Sequence, residues 1–169
     1  MPFLTRLLPI FLVSWLFTFT LASLFHSQYV VNQLVDVGVV VSLSDRINLT
    51  LDDWLGLLPT YGAIIAVALA IAFFAVVLLV KKFEKYSMVL FVASGITAFA
   101  VVLVAIESIM NIHIIAGARG WGFYFQLLAG ALGGLLFALL TKVLAPKQYV
   151  KEKTQWLTLS VKIRCKMVN

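Results

Sequence analysis

YGAIIAVALAIAFFAVVLLV, residues Tyr61 to Val80, runs for 20 residues without a charge. At about 1.5 Å rise per residue a helix of that length is roughly 30 Å long, the depth of a bilayer's hydrocarbon core. Lipid offers no partner for a backbone N–H or C=O, so such a run satisfies itself as an α-helix. A β-barrel strand would alternate apolar and polar and be about half as long.

Three further runs have the same character. Ser87 to Ile106 and Trp121 to Leu140 are each 20 residues without a charge, and Leu7 to Phe25 is 19. That first run is longer than a signal-peptide core and reads as an uncleaved span. The whole chain bears this out: of 169 residues, 63% are hydrophobic and 12% charged. A soluble domain is about half apolar and about a quarter charged, and a chain this small cannot hide so much apolar surface from water. The expected fold is therefore an all-α membrane protein, with four transmembrane helices in a bundle. Residues 1–145 would form the membrane domain, with spans at 7–25, 61–80, 87–106 and 121–140 and an outer loop at 26–60. Residues 146–169 would form a basic cytoplasmic tail.

Charge placement orients that bundle. With both termini in the cytoplasm, the inner segments hold eleven of the 13 Lys and Arg residues, and only Arg46 and Arg119 lie outside. Asp36, Asp45, Asp52, Asp53 and Glu107 fall on the outer side. Basic residues resist translocation, so the asymmetry predicts N-in, C-in threading of a multi-pass protein in the cell (inner or plasma) membrane. The tail's positive charge suits anionic lipid. Without basic–aromatic interleaving it does not suit nucleic acid.

The outer loop is too long to lack structure. In its second half Thr50 reads as a helix cap, with Asp53 three residues on. Leu51, Trp54, Leu55 and Leu58 then make one apolar face of an interfacial helix, with Asp52 and Asp53 off it and Pro59 ending it. The preceding "VGVVVSLSDRINL" reads as a hairpin about Ser44-Asp45-Arg46. In the tail, "WLTLSVKIRCKM" alternates like a strand that could add to a partner.

Two stripes of small residues carry the packing expectation. Gly130, Gly134 and Ala138 recur every four residues in the fourth span, and Gly62, Ala66 and Ala70 do so in the second. Such faces let helix backbones touch, within a chain or between copies. The two stripes could meet each other. A mild polar stripe on the third span, Ser94, Thr97, Val101, Val104, Ser108 and Asn111, should face protein. Its counterpart on the first is Ser14, Thr18, Ala22 and His26.

Titratable groups at membrane depth are scarce, so each is a candidate. Glu107, His113, Arg119 and His26 all fall near the outer boundary under this threading, where carboxylates and imidazoles serve ion and proton paths. The alternative is a Glu107–Arg119 salt bridge at a turn made tight by Gly117, Gly120 and Gly122. The single cysteine, Cys165, excludes an internal disulfide. There is no CxxC, HExxH, P-loop or dinucleotide pattern, so no metal or cofactor is expected. Three functions remain. The first is a non-catalytic accessory or scaffold subunit that meets a homo-oligomeric or membrane-protein partner through helix packing. The second is a small oligomeric transporter or channel with Glu107 in the path. The third is an intramembrane enzyme, for which no nucleophile–base pair stands out.

Overall fold

The computed structural model describes residues 2–80, 84–110 and 120–144, and these contain no strand. The helices are α1 (Pro2–Asp36), α2 (Leu43–Leu57), α3 (Ala63–Val80), α4 (Ser87–Met110) and α5 (Trp121–Leu144). Four helical stretches, Leu7–Asp36, Leu43–Val80, Ser87–Ser108 and Trp121–Leu144, are long and apolar enough to cross a membrane.

The first departure from expectation lies in the outer loop. α1 does not stop at Phe25 but continues to Asp36, because the buried stripe of α1 continues through His26, Ser27 and Val31. It ends where Gly38 takes φ +88, with Gly38 N donating to Val35 O and Val39 N to Leu34 O. This left-handed glycine closes the last turn's carbonyls. Four residues on there is no hairpin: Ser42 caps α2, its hydroxyl accepting from Asp45 N while the Asp45 carboxylate accepts from Ser42 N. That reciprocal box satisfies two orphan donors and starts the helix eight residues before Thr50. Thr50 is instead interior, its hydroxyl donating to Arg46 O.

Pro59 does not end the helix either. Leu58–Gly62 form a single π-helical turn that passes directly into α3. Proline has no N–H to give the carbonyl four residues back and its ring crowds that carbonyl, and a widened turn accommodates both. α1 and the continuous α2–α3 segment thus form a long antiparallel hairpin.

Glycine decides how α5 sits. A side chain at Gly95 would strike the Gly130 carbonyl, and one at Gly134 would strike the backbone of Phe91, so α4 and α5 run in backbone contact. On another face of α5 a side chain at Gly133 would strike the Thr18 hydroxyl of α1. α5 is therefore small on two sides and lies between α1 and α4, with Ala138 buried. The two expected small-residue stripes do not meet. Gly62 lies against the Phe19 ring of α1, and Ala70 is exposed. α3 joins the core through Ile65, Leu69, Phe73 and Val76. Phe73 stacks on Phe137 at 4.5 Å and meets Phe91 and Phe11 edge-on, tying four helices at one level. Such ring pairs contribute about 0.5–1.5 kcal/mol each beyond burial.

Candidate functional site: a polar seam along α1

The predicted stripe of α1 is buried throughout: Ser14, Thr18 and Ala22 are fully enclosed, and His26 is 8% exposed. Apolar side chains such as Leu8, Leu12, Leu16 and Leu24 point out instead. This helix is polar inside and apolar outside, the arrangement suited to lipid. Beside this stripe, other residues of α1 are joined across the hairpin by a ladder of hydrogen bonds. Gln28 Nε2 donates to Thr50 Oγ1 at 3.4 Å, and Ser27 Oγ to Asp53 Oδ2 at 2.8 Å. Trp54 Nε1 donates to Thr20 Oγ1 at 3.2 Å, and Trp15 Nε1 to the Gly62 carbonyl at 2.8 Å. Polar groups that would be costly in hydrocarbon thereby become the adhesive between helices.

At the π turn the seam reaches α5. Tyr61 Oη donates to Gln126 Oε1 at 3.1 Å, and Gln126 Nε2 donates to the Ala22 carbonyl at 3.0 Å. Gln126 is fully buried. One amide thus fixes three elements, and the widened turn places Tyr61 within its reach. The sequence reading passed over Gln126. Its signal was plain enough: it is the one amide in an uncharged run of 20 residues.

The ionisable part of the seam is Asp53 with His26. Of the expected apolar face, Trp54 and Leu58 pack against the core, but Leu51 and Leu55 are 57% and 63% exposed, and Arg46, Leu49, Thr50, Asp53 and Leu57 are partly covered. The sequence places Asp53 off the apolar face of an interfacial helix; the structure turns it onto α1. It does so because the matching surface of α1 is polar, and the leucines are left for the surroundings. Asp53 lies within electrostatic range of His26. Depth follows from α5: a Cβ on Gly120 would be 3.9 Å from the Tyr29 hydroxyl, and Phe25 packs on Phe125 at 5.3 Å. Asp53 and Ser27 therefore sit beside the first turns of α5, below the projecting end of the hairpin.

Of the other candidates, Glu107 is exposed on α4, and His113 and Arg119 lie outside the described residues, as do Asn111 and the strand-like tail. Of the polar stripe of α4 only Ser94 faces protein: Val101 and Val104 are 67% and 56% exposed, and Thr97 and Ser108 are exposed too. Thr97 meets its own needs by bonding to the Ala93 and Ser94 carbonyls, which frees it from any need to face protein. The buried face of α4 is instead Phe91, Ser94, Gly95, Ala98, Phe99, Val102 and Leu103, because those residues meet α5 and α3.

Four long apolar helices with polar groups turned inward fit a multi-pass integral membrane protein. No family model matches the chain, and it matches no curated protein and no solved structure.

Proposed function

We propose that this protein is a small membrane transporter or channel for a proton or small cation, with Asp53 rather than Glu107 as the carboxylate in the path. The observation that carries this reading is the orientation of Asp53, which accepts a hydrogen bond from Ser27 on α1, within electrostatic range of His26, while its neighbours Leu51 and Leu55 face out. A carboxylate at membrane depth is expensive to keep, and those that are kept face protein and commonly handle ions or protons. With N-in, C-in threading the His26–Asp53 centre opens toward the outer surface. The buried line of Ser23, Thr18 and Ser14 continues inward along α1. The test is reconstitution into vesicles carrying a proton or sodium gradient. Wild-type protein should dissipate the gradient, Asp53→Asn should slow it at least tenfold, and Glu107→Gln should leave it near wild type. Vesicles no leakier with the protein than without it would sink the reading.

A second reading, an accessory subunit that receives a partner's helix, is favoured by one feature. Between α3 and α4 lies a groove of about 640 Å³ lined by residues including Ala63, Val67, Ile71, Ala98 and Val101. Its small residues would let a helix approach closely. Purification in mild detergent with a stoichiometric second protein would favour it; a lone species that conducts ions would remove it.

A further inference from the structure

This inference rests on the reading of Asp53 as an ionisable centre and names what the centre takes. Around Ser27 three oxygens crowd together. Its Oγ is 2.8 Å from Asp53 Oδ2 and 3.0 Å from the Ser23 carbonyl oxygen. A hydroxyl has a single proton. Given to the carboxylate, it leaves the hydroxyl oxygen facing a carbonyl lone pair; given to the carbonyl, it leaves that oxygen facing a carboxylate. Either way the one proton serves two acceptor oxygens. One helical turn earlier on the same face, the Ser23 hydroxyl is completely buried and has no hydrogen-bond partner among the described residues. Residues four apart on a helix hold their Cβ atoms about 5–6 Å from each other, so Ser23 lies one turn from Ser27 on the same side of α1.

We propose that these oxygens form a binding site for a monovalent inorganic cation of the sodium type, between α1 and α2. The ligands are the Asp53 carboxylate, the Ser27 hydroxyl, and the carbonyl and hydroxyl of Ser23. All are hard oxygen donors, and together they carry one negative charge. Calcium takes six to eight oxygens and magnesium a near-ideal octahedron, so one carboxylate with three neutral oxygens suits a singly charged ion better. The ion would turn opposed lone pairs into ion–dipole contacts and neutralise a carboxylate that is costly at that depth. His26 lies within electrostatic range of the carboxylate.

The experiment is thermal unfolding of the purified protein in detergent, followed by tryptophan fluorescence, with sodium chloride compared against choline chloride at equal ionic strength. An ion that binds only the folded state raises the midpoint in a saturable way. The expected result is a sodium-dependent rise that disappears in Asp53→Asn and Ser27→Ala. In Ser23→Ala it should need at least tenfold more sodium. The buried Ser14 hydroxyl also has no partner among the described residues, but it lies nine positions along α1 from Ser23, so Ser14→Ala should respond like wild type. Identical midpoints in the two salts overturn the proposal, as does a sodium response that survives Asp53→Asn. An Asp53-dependent proton flux with no sodium response overturns this inference and leaves the transport reading standing. Sodium stabilisation without any ion movement in vesicles does the reverse.

Discussion

Gln126 shows how much one side chain can decide in this protein. Its amide takes a hydrogen bond from Tyr61 on the π turn and gives one to the Ala22 carbonyl on α1. Replacing it by leucine keeps the volume roughly constant and strands the Tyr61 hydroxyl in a buried, apolar setting. Gln126→Leu should therefore destabilise the folded state by about 1–2 kcal/mol. Adding Tyr61→Phe should recover part of that loss, because an apolar pair costs less than a half-satisfied polar one. Unfolding of the four proteins of the cycle in mixed detergent micelles measures the coupling; strictly additive losses would show that the bond contributes nothing. Polar residues in apolar runs are readable in sequence, and the stripe from Ser14 to His26 was read that way. What could not be read is which helix each polar residue would meet. Residues Thr97 and Ser94 are three apart on one helix, yet one is exposed and the other buried, because only the second lies toward the helix's neighbours.

At the scale of elements, α2 is the most instructive. Two stretches of its sequence share one grammar, Ser42-x-x-Asp45 and Thr50-x-x-Asp53. Both could open a helix, and the first one does, since its acid and hydroxyl satisfy each other's backbone donors. The second pair, being free of capping duty, turns its threonine and aspartate onto α1. No residue of α2 is fully buried, so its cap and these few polar bonds hold it together with the packing of Trp54 and Leu57. Ser42→Ala should accordingly cost about 1 kcal/mol. It should also speed amide exchange in the first turn of α2 selectively, leaving α4 and α5 unchanged. Equal exchange in α2 before and after the substitution would mean that tertiary contacts alone hold it. The π turn was not legible in the sequence, because a proline read by itself signals a stop. That the chain continued depends on what lay beside it: the indole of Trp15 bonds to the Gly62 carbonyl, and Phe19 packs on the glycine.

For the molecule as a whole, threading is the matter to test. Under N-in, C-in orientation the tip of the α1–α2 hairpin, residues 37–42, is extracellular or periplasmic and the tail is cytoplasmic. With Cys165 replaced by serine, a cysteine in place of exposed Ser44 should react with a membrane-impermeant maleimide on intact cells. One placed after Asn169 should react only after permeabilisation. Reversed labelling would invert the assignment of the outer side and move the His26–Asp53 centre to the cytoplasmic face.

Length and hydropathy determined that the described residues are helical and that four helical stretches are long and apolar enough for a bilayer. Those properties are set by chain chemistry against its solvent, and each residue contributes without reference to distant ones. Tertiary structure alone decided that α5 lies between α1 and α4, that Asp53 faces inward while Glu107 is exposed, and that Gln126 joins three elements. In lipid the apolar side chains of every helix are equally well solvated, so hydrophobicity does not say which face packs. That choice falls to glycine clearances and to pairs of polar groups brought together from residues as far apart in sequence as Ala22 and Gln126.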